Sequence, residues 1–144
     1  VLSNNFSLAE MIEPVWPGCV GVNKEFLEYL IKEKILLFPW SSQARGFFIK
    51  KKEHISNNHF SNPNLDEEMR VWHYAKNLER RNKCFELAEK RGLEPIQIAL
   101  AYVLHQSDLI FPLIGPRTLV ETNSSIEASK VELTAKELQE LSQA

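Results

Sequence analysis

Two short, uninterrupted apolar runs, Ile35-Leu36-Leu37-Phe38-Pro39-Trp40 and Leu109-Ile110-Phe111-Pro112-Leu113-Ile114, constrain this chain more than any other feature. Each is too short for a typical helix and lacks polar alternation, so each reads as a strand buried on both faces, as in a parallel sheet. Pro39 weakens the first run only near its end, where a missing N–H matters least. No hairpin signal joins either run to a neighbour, so the strands must be connected through helices. The opening Val1-Leu2-Ser3-Asn4-Asn5 adds a third strand-like segment.

The intervening sequence supplies those helices. Over residues 23–34, Phe26, Leu27, Leu30 and Ile31 form one apolar stripe opposite Lys24, Glu25, Glu28, Lys32 and Glu33, which predicts an amphipathic helix. Helical periodicity returns over 66–91 in two pieces and stops at Lys90-Arg91-Gly92, a cationic last turn followed by glycine. Pro95 opens the next helix at its first turn. There Ile96, Ile98, Ala99, Leu100, Tyr102, Val103 and Leu104 cover nearly every side, so that helix is expected to be buried. A further helix is predicted over about 118–129. A last one starts at Thr134, with a capping box to Glu137 and a staple between Leu133 and Leu138.

The resulting order is strand, helix, strand, helices, strand, helix, helix: an α/β chain with a parallel sheet. Three buried parallel strands would leave two raw edges, whereas a closed (β/α)8 barrel takes about 250 residues. The predicted fold is therefore a partial (β/α)8 TIM barrel, its last three strands with their helices, with residues 1–144 forming part of a single domain. Residues 41–65 carry no clear period, many Ser, Asn and His, and the basic run Lys50-Lys51-Lys52. A loop of that length is functional or disordered, and the basic run reads as a solvated face or part of a closing loop.

Composition narrows the function classes. With 44% hydrophobic and 25% charged residues, this is soluble globular material. A net charge of −2 gives no overall attraction to nucleic acid or to an anionic membrane, so any anion must be held locally. The apolar runs are far short of a membrane span, and the expected location is cytoplasmic. Cys19 and Cys84 form neither a disulfide framework nor a metal pattern and read as reduced, packed thiols. His54, His59, His73 and His105 show no ligand spacing, so no metal is expected.

A local anion site is visible at Phe111-Pro112-Leu113-Ile114-Gly115-Pro116-Arg117-Thr118. A strand ends in a glycine turn that delivers Arg117 to the start of a helix, where unpaired N–H groups and the helix dipole favour negative charge. Thr118 and Glu121 read as a capping box. The plainer alternative is that Gly115 only permits the turn and Arg117 points into solvent.

Together with Phe38-Pro39-Trp40-Ser41-Ser42-Gln43-Ala44-Arg45-Gly46-Phe47-Phe48, Gln97-Ile98-Ala99-Leu100-Ala101-Tyr102-Val103-Leu104 and Val131-Glu132-Leu133-Thr134, that segment resembles the C-terminal half of an aldo-keto reductase. The resemblance spans essentially the whole chain. It implies an NADP(H)-dependent oxidoreductase that moves a hydride between nicotinamide and a small carbonyl or alcohol substrate. In that family an aromatic residue after the seventh strand stacks on the nicotinamide, and the matching position is Trp40; the plainer reading is that Trp40 caps the core. Ser41, Gln43 and Arg45 match positions near the pyrophosphate. Gly115, Arg117 and Thr118 match those holding the 2′-phosphate and adenosine ribose, and Glu121 lies where the adenine is approached. Relatives usually carry Asn at the position of Ser125 and Gln at that of Ser3, so the resemblance implies that the shorter side chains here weaken the contacts to adenine and carboxamide or route them through water.

Catalysis in such reductases uses an Asp, a Tyr, a Lys and a His from earlier strands, and nothing in this chain matches them, so no catalytic residue is assigned. Tyr29, Tyr74 and Tyr102 read as packing residues. The expected partner is the N-terminal half of the barrel, without which this fragment should be inactive. The competing readings are a non-catalytic nicotinamide-nucleotide-binding module of the same fold, and a helix-rich interaction domain with no nucleotide site.

Overall fold

A computed structural model describes residues 1–49 and 70–143. Its helices are α1 (Lys24–Lys32), α2 (Ala75–Arg91), α3 (Pro95–Leu104), α4 (Leu119–Ala128) and α5 (Ala135–Ser142), with a 3-10 turn at Ala44–Gly46. The basic run Lys50 to Lys52, His54, His59 and most of the expected 41–65 loop lie outside the described residues.

The three apolar segments do run parallel, in chain order. Leu2 pairs with Leu37, Leu37 with Ile110, and Asn5 with both Trp40 and Gly21, all through parallel bridges. The ladder is explicit at its centre. Leu2 N–H donates to Leu36 O at 2.8 Å and Phe38 N–H returns to Leu2 O at 2.8 Å. Leu37 N–H donates to Leu109 O at 2.9 Å, and Phe111 N–H returns to Leu37 O at 2.8 Å. Among the described residues these pairings remain isolated bridges rather than continuous strands. Pro39 supplies one reason: the next donor toward the third segment would be its N–H, which proline lacks, leaving only the return bond from Leu113 N–H to Pro39 O at 2.9 Å. Three such segments do not close a barrel.

The two faces of this small ladder differ. Leu37 is 1% exposed and Ile110 5%, and both belong to the core with Ile98, Ala99, Tyr102 and Val103 of α3. The opposite face carries Phe38 and Phe111, whose rings stack at 5.4 Å, and Phe111, Leu113 and Ile114 are 46%, 48% and 42% exposed. The third segment is thus buried on one face only, contrary to the two-sided burial expected for it, because no element among the described residues covers its other side.

The helices follow their sequence signals closely. Asn23 caps α1 by accepting the Phe26 N–H at 2.8 Å, with Leu27 and Leu30 buried beneath it. Ile31, expected in the same stripe, is 37% exposed at its margin. Gly92 ends α2 in the left-handed region at φ 65°, and Leu93 N–H closes the cap on Ala88 O at 2.9 Å. In α3, Ile98 through Val103 are all buried, as a helix apolar on every side requires. Thr134 and Glu137 form the expected reciprocal capping box of α5 at 3.2 and 2.7 Å. Among the described residues no helix is long and apolar enough to cross a membrane.

Candidate functional site

The loop after the second segment begins at Trp40, whose carbonyl accepts from Asn5 Nδ2 at 3.2 Å. It then turns through Ser41 (φ 50°), Ala44 (φ 48°), Arg45 (φ 49°) and Gly46 (φ 96°). Only the last of these suits the left-handed region; the other three cost roughly 1–2 kcal/mol each. Such strain persists only where neighbours over-determine it, and here they do. Ala44 N–H bonds Ser41 O at 2.8 Å, and the fully buried Phe47 and Phe48, edge to face at 5.2 Å, anchor the far end. Arg81 Nε donates to Phe47 O at 2.7 Å from α2. Arg45 is exposed, and its Nε donates to Ser41 Oγ at 3.2 Å; Gln43 is half-buried. The sequence carries no cue to this backbone, since Ser, Ala and Arg are unremarkable loop residues.

The loop after the third segment is tied directly to the first. Ser42 is 1% exposed, and its Oγ donates to Leu113 O at 3.0 Å while Leu113 N–H holds Pro39 O. The two predicted loops therefore leave one rim side by side. Gly115 has an ordinary φ, and a Cβ there would meet nothing within 4 Å. Neither conformation nor packing demands glycine; its effect is to keep the backbone open to whatever approaches. Thr118 caps α4, its Oγ1 accepting the Glu121 N–H at 3.2 Å. The expected reciprocal arm is displaced by one residue: Glu121 Oε2 accepts the N–H of Arg117, at 2.6 Å, instead of that of Thr118. Its other oxygen lies 3.5 Å from the Arg117 guanidinium, which is otherwise 81% exposed. The Arg117 N–H, then the nearby guanidinium, hold the Glu121 carboxyl below its usual range. Ser125 is buried, with its hydroxyl donated back to Glu121 O at 3.0 Å, and the exposed Ser3 donates its hydroxyl to Phe38 O at 2.9 Å.

A third contributor was not anticipated. Trp16, in the Pro- and Gly-punctuated stretch between the first segment and α1, stacks on Trp40 with ring centroids 4.7 Å apart and planes 27° apart. The Arg45 guanidinium lies 6.0 Å from the same Trp16 ring. The stretch is latched to the start of α2. Asn77, wholly buried, accepts the Glu10 N–H at 2.9 Å and donates to Glu10 O at 2.8 Å. Arg80 and Lys76 lie 3.0 and 3.2 Å from Glu10 Oε1. Burial alone would raise the Glu10 carboxyl, but these two cations outweigh it and hold it low. Arg70 donates to Pro14 O and Val15 O at 2.8 and 3.1 Å. The aromatic pair Trp16 and Trp40 is a long-range meeting that no local spacing announces.

A separate cavity of about 720 Å³ opens among α1, α2, α3 and α5, bounded by Asn5, Glu10, Leu27, Arg80 and Tyr102. None of the nine predicted cofactor residues lines it. Tyr102 is buried, and burial pushes its hydroxyl up; Tyr74 donates to Glu13 at 3.1 Å; Tyr29, 53% exposed on α1, stacks on Phe26 with ring centroids 6.5 Å apart. Cys84 is fully buried, its thiol pushed up to about 12 by burial, and Cys19 is half-buried against Met11. His105 bonds Ala101 O and Glu132, and His73 packs edge-on to Phe47. Among the described residues no three His, Cys, Asp or Glu side chains converge as a metal site would require.

Comparison with known proteins identifies relatives of this chain. Residues 19–144 match the model of the Aldo/keto reductase family. A norsolorinic acid reductase of Emericella nidulans is 32% identical over 118 residues, covering 82% of this chain and 28% of that protein. A probable aldo-keto reductase of Glycine max is 32% identical over 112 residues, covering 75% and 31%. The chain thus spans about a third of the length of the relatives it matches. A crystal structure of a thermostable aldo-keto reductase in complex with the inhibitor epalrestat superposes with a TM-score of 0.61 at 14% identity, over 97% of this chain and 38% of that one, a likeness of fold. On the family match, the parallel ladder and the two adjoining loops, the chain belongs to the aldo/keto reductase family.

Proposed function

We propose that this chain is the cofactor-binding part, the last three βα units, of a (β/α)8 barrel oxidoreductase that uses NADP(H). The single observation that carries the reading is the bond from Ser42 Oγ to Leu113 O, which places the strained 40–46 loop and the Gly115-Arg117-Thr118 helix start on one rim. Barrel enzymes put their sites at the carboxyl ends of the strands, and the last two loops commonly hold phosphate there.

The residues present suit the group. Gly115 leaves open backbone and the α4 N-terminus is exposed at Leu119 and Val120. Arg117 provides a permanent cation for a 2′-phosphate, with Thr118 beside it and Glu121 and Ser125 toward the adenine side. Ser41, Gln43 and Arg45 provide hydroxyl, amide and guanidinium donors for the pyrophosphate, and Trp40 a flat apolar face for the nicotinamide. When bound, the nicotinamide supplies the hydride exchanged with a carbonyl or alcohol carbon. This chain binds and orients; the Asp, Tyr, Lys and His of the reaction belong to strands other than these, and alone the chain is inactive.

Titration of the full barrel protein and its Arg117→Ala variant with NADPH and NADH tests the assignment. The variant should lose NADPH affinity at least tenfold while NADH changes little, because only NADPH carries the 2′-phosphate. Equal losses for both cofactors would sink it.

A further inference from the structure

The Trp16 ring lies against Trp40, which the proposed site assigns to the nicotinamide, and near Arg45, which it assigns to the pyrophosphate. It stacks on Trp40 at 4.7 Å and lies 6.0 Å from the Arg45 guanidinium, although it comes from a different loop and is itself 47% exposed. A flat apolar ring against Trp40, beside a cation, is the same chemistry that a nicotinamide ring and its pyrophosphate would offer there.

The loop that carries this ring is anchored on both sides of it. Upstream, residues 10–15 are fixed to α2 and its approach: Asn77 grips Glu10, Ile12 N–H bonds Val71 O at 3.1 Å, and Arg70 holds Pro14 O and Val15 O. Downstream, Asn4 Nδ2 holds Val20 O at 3.2 Å, Gly21 pairs with Asn5, and Val22 N–H bonds Asn5 O at 2.8 Å. Between the anchors lies the turn in which the Trp16 carbonyl accepts the Cys19 N–H at 3.2 Å, with Gly18 at φ 84° where a Cβ would meet nothing within 4 Å, and with the Cys19 thiol 3.8 Å from Met11 Sδ.

Resting on the cofactor reading above, we propose that Trp16 is an internal occupant of the nicotinamide end: its indole covers Trp40 in the cofactor-free protein and is displaced when NADP(H) binds. Trp16 thereby sets cofactor affinity, and the turn at residues 16–19 is the gate. The anchors on either side confine the movement to that turn.

Circular dichroism and calorimetry on the protein, its Trp16→Ala variant and its Trp16→Phe variant test this. Two stacked indoles give a coupled dichroism band in the far ultraviolet. Wild type should show it, Trp16→Ala should lack it, and saturating NADPH should abolish it in wild type. Trp16→Ala should bind NADPH about three- to tenfold more tightly, the factor that an aromatic pair is worth. Trp16→Phe, which keeps an aromatic competitor, should lie between. A band that survives saturating NADPH, or weaker NADPH binding by Trp16→Ala, would overturn the proposal while leaving the cofactor site standing. Failure of wild type and both variants to bind NADPH would overturn the cofactor reading, and this inference with it.

Discussion

Asn77 and Glu10, 67 positions apart, exchange two backbone-directed hydrogen bonds: the buried carboxamide of Asn77 accepts the Glu10 N–H at 2.9 Å and donates to the Glu10 carbonyl at 2.8 Å. A third bond runs from the same carboxamide to Trp72 O at 3.0 Å. One side chain thus does for the 6–22 stretch what a strand partner does for an edge, satisfying backbone groups that burial would otherwise leave orphaned.

Removing that side chain should be costly. Asn77→Ala leaves the Glu10 N–H and carbonyl without a partner, while Trp72 O keeps the Tyr74 N–H, and each unsatisfied group costs about 1–3 kcal/mol. The expected loss is about 2–4 kcal/mol, read as a shift in urea midpoint with unchanged slope. Asn77→Asp, which keeps the acceptor but not the donors, should be less stable than wild type by a similar amount. A change below about 0.5 kcal/mol in both would mean that the latch is not formed.

The same latch should loosen in acid. Its Glu10 carboxyl is held below the ordinary value of 4.5 in the folded state, so its contribution is fully present above that value and is lost as pH falls below it toward the lowered folded value. Stability of wild type and Glu10→Gln should therefore differ above about pH 5 and converge as pH falls through the lowered folded value, below 4.5. Parallel profiles would refute the assignment.

Lys34 occupies the position after α1 that Gly92 occupies after α2. Lys34 has φ 55°, with Ile35 N–H closing on Leu30 O at 2.9 Å just as Leu93 N–H closes on Ala88 O. Lysine strains there and glycine does not, so Lys34→Gly should raise stability by about 1 kcal/mol and Gly92→Ala should lower it by about as much. Thermal midpoints moving in opposite directions would check both at once.

At the α4 start, Glu121 already accepts the Arg117 N–H and lies beside its guanidinium. A 2′-phosphate arriving there meets a carboxylate, so Glu121→Gln should tighten NADPH binding several-fold and leave NADH nearly unchanged. The gain should shrink as salt screens the charges. Calorimetric titration at two ionic strengths measures it.

The isolated 144-residue chain should show no reductase turnover and only marginal stability, because Phe111 and Leu113 remain open on one face of the third segment and Ile114 is exposed beyond them. A sharp cooperative thermal transition with no partner present would count against that.

How far the residues spoke for themselves depended on the range of the interaction. The Thr134 cap, the Gly92 stop, the burial of α3 and the parallel order of the three segments are settled within a few positions or by hydrophobic period, and each was readable. The capping arm at Glu121 slipped by one, to the Arg117 N–H, a choice set by the backbone path into the helix rather than by the spacing of Thr118 and Glu121. The resemblance pointed to Trp40, Arg45 and Arg117 by motif, but it was silent on Trp16, whose partner is 24 positions away.

By itself, then, the sequence determined which segments are helices, which apolar segments pair in parallel, and to which family their order and loops belong, because propensity, capping and periodicity act locally. The tertiary structure decided the rest: that Ser42 fastens the two loops into one rim, that Ser41, Ala44 and Arg45 are held in left-handed backbone, that Asn77 latches Glu10, and that Trp16 covers Trp40. Each of these depends on surfaces brought together only when the core closes, and no local rule specifies which buried polar group or aromatic face will meet which.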